Sequence, residues 1–148
     1  METQPQGDAF HIYDTTLRDG AQQEGLNLSV HDKLQIARHL DDLGVGFIEG
    51  GWPGANPLDD EFFNDLPALK KSQFVAFGMT RRINSSAGND NALNALTNSS
   101  AQAVCIVGKC WDFHLTHALH IPPQENLAMI EDSIRHIIKK NKTAMFDA

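Results

Sequence analysis

The sequence has few cysteines and no long apolar run, and each absence excludes a class of protein. Its two cysteines, Cys105 and Cys110, are too few for a disulfide framework, and their C-x4-C spacing matches no common zinc-binding pattern. No apolar run approaches the ~20 residues that a membrane span requires, and the polar start from Met1 to Asp8 is unlike a signal peptide. We therefore expect reduced thiols, no membrane association and a cytoplasmic location.

Basic residues are also too scarce and too scattered for a nucleic-acid-binding surface. The 148 residues include 12 Lys and Arg against 19 Asp and Glu, which gives a formal net charge of -7. Apart from Arg81-Arg82 and three lysines between positions 139 and 142, the cations are dispersed, so no basic stripe faces a phosphate backbone. We expect no nucleic-acid partner. Apolar residues make up 41% of the chain, as in an ordinary globular domain.

Short apolar runs alternate with amphipathic stretches along the chain. Helices are predicted from the cap at Ser29 to the stop at Gly44, from Asn56 to about Leu66, over 91–97 and over 127–138. The predicted apolar face includes Leu43 in the first helix, and Leu127 and Ile138 in the last. Strands are predicted at Phe10–Tyr13, Gly46–Glu49, Gln73–Phe77, Ala103–Val107 and Thr143–Phe146.

This alternation predicts an α/β fold with a parallel sheet, and two architectures fit it. A doubly wound five-stranded fold would be complete at this length. A (β/α)8 barrel takes roughly 250 residues, so the chain would then be about half of one. The pattern by itself does not decide between them.

In both architectures, functional residues follow the carboxyl ends of the strands. After the first strand, Asp19 offers a hard oxygen ligand for a divalent cation, and Arg18 offers a fork of donors to a carboxylate or enolate. The alternative is an ordinary solvated Arg-Asp pair, which is the commoner case. After the second strand, Glu49 can steer a proton or bond the arginine, while Gly50 and Gly51 are either close-approach glycines or simple turn residues.

The ends of the third and fourth strands carry weaker candidates. Thr80 and the pair Arg81-Arg82 follow the third strand, where the cations meet either an anionic substrate or solvent. After the fourth strand come Lys109 and the histidines at positions 114, 117 and 120. Their i+3 spacing drifts around a helix, which disfavours a metal role.

The stretch from Tyr13 to Pro57, which contains YDTTLRDGAQQ and EGGWPG, resembles the opening of the alpha-isopropylmalate/citramalate/homocitrate synthase family of DRE-TIM metallolyases. The segments FGMTRR at Phe77–Arg82 and GKCWDFH at Gly108–His114 are similar to its citramalate-synthase-like branch.

The resemblance implies a TIM barrel that condenses acetyl-CoA, as co-substrate, with a 2-keto acid, pyruvate foremost, in the biosynthesis of isoleucine or leucine. It also implies a divalent metal, Mg2+ or Mn2+ before Zn2+. By the same resemblance, Asp19 is the metal ligand, Arg18 and Glu49 are catalytic, and Arg18, Gln22, Glu49 and Thr80 bind the substrate.

The sequence departs from the family pattern in two places. It has no His-x-His pair, and it ends at Ala148, immediately before the position at which the family places a catalytic glutamate. We therefore expect a flexible N-terminus over 1–9 and a truncated N-terminal part of a TIM barrel, about β1 to β5, over 10–148. We also expect an incompletely ligated metal and a homo-oligomer, because half a barrel exposes strand edges. The alternatives are a noncatalytic remnant or assembly module, a related homocitrate synthase or acyl-CoA lyase, and a flavodoxin-like binding domain.

Overall fold

A computed structural model describes residues 10–148, so the flexible segment predicted over 1–9 lies outside the described residues. Five parallel strands form one sheet, with helices between them. The strands are β1 (Tyr13–Asp14), β2 (Phe47–Gly51), β3 (Gln73–Met79), β4 (Ala103–Val107) and β5 (Thr143–Asp147). The helices are α1 (Val30–Leu43), α2 (Pro57–Asn64), α3 (Asn91–Asn98), the short α4 (Asp112–His114) and α5 (Pro123–Lys139). Short 3-10 helices cover Gly20–Gln22 and Ala87–Asn89, and a π-helical turn covers Leu115–Leu119.

The strand order decides between the two predicted architectures. The strands lie in the sequence order β1-β2-β3-β4-β5, and each pairs in parallel with the next. A flavodoxin-like fold has the order 2-1-3-4-5, whereas a (β/α)8 barrel adds each strand beside the previous one. The described residues therefore form a half-barrel, as predicted, with β1 and β5 as its edge strands.

Helix α1 begins and ends where the sequence predicted. The Ser29 hydroxyl accepts a bond from the Asp32 N–H at 3.2 Å, and the Asp32 carboxylate accepts the Ser29 N–H at 2.9 Å, which completes the capping box. Gly44 ends the helix in the left-handed conformation at φ 91°. Helix α2 starts after its Asn56 cap as predicted but ends at Asn64, short of Leu66.

The apolar faces predicted for α1 and α5 are buried in large part, with Ala37 and Ile137 in the core, but three of their predicted members are exposed. Leu43 is 79% exposed, and Leu127 and Ile138 are 65% and 58% exposed. Both helices turn polar residues towards the sheet instead, including Lys33 in α1 and Ser133 in α5. These groups can be buried because each has a bonding partner in another element, which a count of apolar residues does not detect.

The two faces of the sheet pack differently. Alternate residues face the helices and form the larger core, which includes Ile48, Phe74 and Ile106. The other residues form the concave inner face, where Val75 and Ala103 are fully buried. Glu49, in the middle of β2, is only 1% exposed. Within residues 10–148, no helix has the length and apolar character needed to cross a membrane.

Candidate active site

The predicted residues Arg18, in the turn after β1, and Glu49, in the middle of β2, meet in the structure. Arg18 Nε donates to Glu49 Oε1 at 2.5 Å, and the hydroxyl of Tyr13 donates to Glu49 Oε2 at 2.5 Å. Both carboxylate oxygens of a buried side chain are therefore bonded, one of them to a charged donor. Of the two roles predicted for Glu49, the geometry favours holding the arginine over carrying a proton.

A tight turn after β1 places Arg18 in this position. The N–H groups of Arg18 and Gly20 both donate to the carbonyl oxygen of Thr15, at 3.2 and 3.0 Å. Leu17 is fully buried in the core and anchors the turn. Because Leu17 is directed into the core, Arg18, the next residue, is held against Glu49 of β2 and Phe77 of β3.

An aromatic pair supports the guanidinium of Arg18. The Cζ atom of Arg18 lies 4.0 Å from the centre of the Phe77 ring, within the range of a cation–π interaction. Phe77 in turn meets Trp52 edge to face, with ring centres 5.7 Å apart. One carboxylate and one ring face thus define where the guanidinium lies.

The loop that carries Trp52 depends on Gly50 and Gly51. The sequence left open whether these are close-approach glycines or simple turn residues. A Cβ atom on Gly50 would lie 2.4 Å from a ring carbon of Phe62. Gly51 has φ +151°, and a Cβ atom there would lie 2.4 Å from Asp59 Oδ1. Both are therefore close-approach glycines, because any side chain would collide with the first turns of α2.

Arg18 lines two cavities on either side of its side chain. One has a volume of about 400 Å3 and includes Gln22, Lys33 and Trp52 in its wall. The other has a volume of about 390 Å3 and is lined by Tyr13, Thr15, Arg18, Glu49, Cys105, Met145, Phe146 and Asp147. Gln22 therefore shares one cavity with Arg18, whereas Glu49 lines the other, so the structure does not bring Gln22 and Glu49 into one cavity. The role of Gln22 in substrate binding stays a prediction.

Thr80 lies apart from these cavities. It lines a third, mainly apolar cavity of about 310 Å3, together with Met79, Val107 and Met129. Trp52 lies in the walls of both this cavity and the 400 Å3 cavity. The structure does not bring Thr80 together with Arg18, and its role in substrate binding stays a prediction.

The residues present do not fit a complete metal site. The side chain of Asp19 is 64% exposed, and its Oδ1 atom lies 3.4 Å from Arg18 Nη1. Among residues 10–148, no three His, Cys, Asp or Glu side chains converge as metal ligands. A hard divalent cation takes about six oxygen ligands, of which Asp19 can supply one or two. We therefore derive no chemical step through a metal.

The sequence left open whether Arg81 meets an anionic substrate or solvent, but in the structure it is buried against acidic side chains of α5. It is 6% exposed, and it pairs with Asp132 at 2.8 Å and with Glu125 at 3.1 Å. Its N–H also donates to the Ser133 hydroxyl at 2.8 Å. Arg81 therefore ties the end of β3 to α5, whereas Arg82 is exposed to solvent.

Sequence reasoning missed Tyr13 and Phe77 as members of the site. Their partners lie far away in the sequence, since Tyr13 and Glu49 are separated by 36 positions. Burial, followed by the hydrogen bond to Glu49, raises the pKa of Tyr13 well above its usual range. Burial also raises the pKa of the Cys105 thiol in the same cavity. Both groups are therefore neutral at physiological pH.

Comparisons with known proteins agree with the half-barrel fold. A family model described as HMGL-like matches residues 9–148. The (R)-citramalate synthase of Streptomyces coelicolor is 52% identical over 143 residues, which cover 95% of this chain and 27% of that protein. The 2-isopropylmalate synthase of Shouchella clausii is 32% identical over 94% of this chain and 26% of that protein. The chain thus spans about a quarter of the length of these curated relatives. The solved HMG-CoA lyase of Bacillus subtilis has a TM-score of 0.68 at 16% identity, covering 92% of this chain and 45% of that one.

Proposed function

The chain belongs to the HMGL-like family, and on this premise we propose that it takes part in the condensation of acetyl-CoA with a 2-keto acid. Pyruvate is the first candidate, which would make the activity that of an (R)-citramalate synthase in the biosynthesis of isoleucine. The relatives of that name support this choice, since they reach 52% identity against 32% for a 2-isopropylmalate synthase.

The observation that carries the proposal is the fixed guanidinium of Arg18. Its Nε is held by Glu49, and it lies against the Phe77 ring at 4.0 Å, so its orientation is set before any ligand binds. A guanidinium has five N–H donors, and the Nη groups keep capacity for an anion beyond their contact with Asp19. Because Arg18 lines both cavities, an anionic ligand in either one can reach it.

In the proposed reaction, the acetyl methyl group loses a proton and its carbon forms a bond to the keto carbon. The keto oxygen takes up the electron pair of the C=O π bond and then the proton that the methyl group lost, and water hydrolyses the thioester to release CoA. Arg18 binds the keto acid and stabilises the negative charge that develops on this oxygen. One donor of this kind contributes roughly 100- to 1000-fold to a rate. Glu49 holds Arg18, Gln22 lines the pocket, and Thr80 contacts the substrate from the neighbouring cavity.

We also propose Asp19 as one ligand of a divalent metal, Mg2+ or Mn2+ before Zn2+.

The proposal also includes the oligomeric state of the chain and its location. A homo-oligomer is supported by the two edge strands, β1 and β5, and light scattering during size-exclusion chromatography tests it. A cytoplasmic location is supported by the scarcity of cysteine.

A thiol-release assay tests the activity. The purified chain is mixed with acetyl-CoA, Mg2+ or Mn2+, and either pyruvate or a bulkier branched 2-keto acid, and free CoA is measured. We expect pyruvate-dependent release that falls about 100- to 1000-fold in Arg18→Ala. The matched control is Arg135→Ala, because Arg135 is 75% exposed and, among residues 10–148, forms an ion pair only with Glu131.

The second candidate function is a noncatalytic assembly module. It is favoured by one observation, the lack of a three-ligand metal group among residues 10–148. Absence of pyruvate-dependent CoA release from the wild-type chain would support this candidate and contradict the activity of the chain. Equal loss of activity in Arg18→Ala and Arg135→Ala would contradict the assigned role of Arg18.

A further inference from the structure

We propose that Tyr13 is a positioning residue that sets the orientation of Arg18 through the Glu49 carboxylate. The phenol bonds Glu49 Oε2 and the guanidinium bonds Oε1, each at 2.5 Å, so one carboxylate links the two side chains. This role rests on the proposed function, since the orientation of Arg18 matters for catalysis only if Arg18 binds the keto acid.

Glu49 is buried in the protein interior. Its side chain is 2% exposed, so water has little access to Oε2. Without the phenol, a buried charged oxygen would lose its donor, which is costly in a protein interior. The carboxylate would then turn towards another donor or towards solvent, and the guanidinium bonded to its other oxygen would move with it.

Among residues 10–148, no other contact fixes the rotation of Arg18 as closely as the bond to Glu49. The Phe77 ring lies against the guanidinium at 4.0 Å, but a ring face accepts a range of in-plane orientations. The bond from Arg18 Nε to Glu49 selects one of them. The contact between Arg18 Nη1 and Asp19 is longer, at 3.4 Å, and involves an exposed partner.

The phenol of Tyr13 remains a hydrogen-bond donor. Burial and the bond to Glu49 raise the pKa of the phenol, so it stays protonated at the pH of the cell. A phenylalanine would keep the ring, including its packing near Phe47 at 6.3 Å between ring centres, and would remove only the donor. Tyr13→Phe therefore separates positioning from packing.

The test uses the Nε–Hε signal of Arg18 in the proton–nitrogen correlation spectrum of the chain, assigned by its loss in Arg18→Lys. In the wild type, we expect a downfield signal that exchanges slowly with water. In Tyr13→Phe, we expect an upfield shift and about tenfold faster exchange, the size of one lost hydrogen bond. An unchanged shift and exchange rate would overturn the proposal.

The matched control is Ser72→Ala. The Ser72 hydroxyl is buried and donates to the carbonyl oxygen of Val45 at 2.6 Å, so this change also removes one buried hydrogen bond, away from Arg18. We expect similar destabilisation and an unchanged Arg18 signal. If Ser72→Ala shifts that signal as much as Tyr13→Phe does, the effect is general loosening and the positioning role is wrong.

A second variant keeps the proposal testable if Tyr13→Phe does not fold. Tyr13 is the only tyrosine in the sequence, so the tyrosine Fermi doublet in the Raman spectrum reports on this phenol alone. Glu49→Gln replaces the charged acceptor with an amide, and the doublet should shift towards that of a weaker donor. An unchanged doublet would show that the phenol does not bond Glu49.

These measurements are made without substrate, so their failure is distinct from failure of the proposed function. An ordered Arg18 signal in a chain that releases no CoA would contradict the function and leave the positioning role standing. In a chain that does release CoA, Tyr13→Phe should lower kcat/KM about tenfold. Unchanged kcat/KM would contradict the positioning role alone.

Discussion

The buried ammonium of Lys33 lies 2.6 Å from Asp59 Oδ1 and 2.9 Å from the carbonyl oxygen of Gly50. This pair joins α1, the end of β2 and the first turn of α2. The other oxygen of Asp59 accepts the N–H of Trp52 at 2.9 Å, so the same pair holds the loop beside the candidate site. Removing one partner would leave a charge without a counterion in the interior.

Replacing Lys33 with methionine should therefore destabilise the chain strongly. Methionine keeps most of the aliphatic length but leaves the Asp59 carboxylate buried without its cation. We expect a loss of about 3–5 kcal/mol in the free energy of unfolding. The measurement is urea denaturation followed by circular dichroism.

The exposed pair of Arg135 and Glu131 provides the matched control. Its partners are 2.7 Å apart but 75% and 62% exposed. Arg135→Met should cost less than about 1 kcal/mol, because solvated ion pairs contribute little. If Lys33→Met and Arg135→Met lose a comparable free energy of unfolding, burial does not increase the contribution of the Lys33–Asp59 pair to stability.

Alanine at Gly51 should be poorly tolerated. The new Cβ atom would lie 2.4 Å from Asp59 Oδ1, and the backbone is at φ +151°. Overpacking of this kind costs about 1–3 kcal/mol, and the backbone adds to it. Thermal unfolding should show a lower Tm than that of the wild type.

Gly88 is the comparison for Gly51, since an added Cβ there has no neighbour within 4 Å and the backbone is not left-handed. Gly88→Ala should be neutral or should stabilise the chain by about 0.4–1 kcal/mol. A lower Tm for Gly88→Ala than for Gly51→Ala would contradict the steric argument.

Much of the fold followed from local sequence signals. The capping box at Ser29 and the apolar runs predicted α1 and the strands within a few residues, because hydrogen-bonding side chains and side-chain periodicity act over short distances. The strand order did not follow from the pattern, since both candidate architectures alternate strands and helices. Leu43 and Leu127 were wrongly placed on the buried faces of their helices, whereas Lys33 and Ser133 of the same helices are buried because they gain partners that are distant in the sequence.

The candidate site was predicted in part. The sequence predicts Arg18 after the first strand and Glu49 at the tip of the second, and the carboxyl ends of neighbouring parallel strands meet at one edge, so their proximity could be expected. In the structure β2 extends two residues beyond Glu49, to Gly51. The contributions of Tyr13 and Phe77 depend on register and on the depth of each side chain. These are properties of the packed sheet, and one sequence carries no direct signal for them.

The two cysteines should differ sharply in reactivity. Cys105 is 6% exposed, and burial together with the nearby Glu49 carboxylate raises its pKa, whereas Cys110 is exposed. Since the thiolate is the nucleophile, a thiol-specific disulfide reagent should modify one cysteine quickly and the other only after unfolding. Cys110→Ser should remove the fast phase. Two equally fast phases in the folded chain would contradict the buried position of Cys105.

The stability of the chain should fall in acid through Asp41. Burial acts to raise the pKa of this carboxyl, but bonds from the N–H groups of Lys70, Lys71 and Ser72, at 2.9, 2.7 and 2.8 Å, outweigh it and lower the pKa to about 2. Because the pKa in the folded state lies below the 3.8 of a free aspartate carboxyl, the ionised group stabilises the fold above about pH 4. This stabilisation is lost as the pH falls through about 2.

Asp41→Asn should therefore cost roughly 1–2 kcal/mol at neutral pH, where the wild-type carboxylate is ionised. The difference between the two proteins should shrink as the pH falls from about 4 to about 2, because the wild type becomes protonated there. Urea unfolding at a series of pH values measures both. Ser100→Ala, which removes a hydroxyl bond to Phe63 and no ionisable group, should show a difference that does not change with pH. A constant gap for Asp41→Asn across the same range would show that the three N–H donors do not favour the charged form.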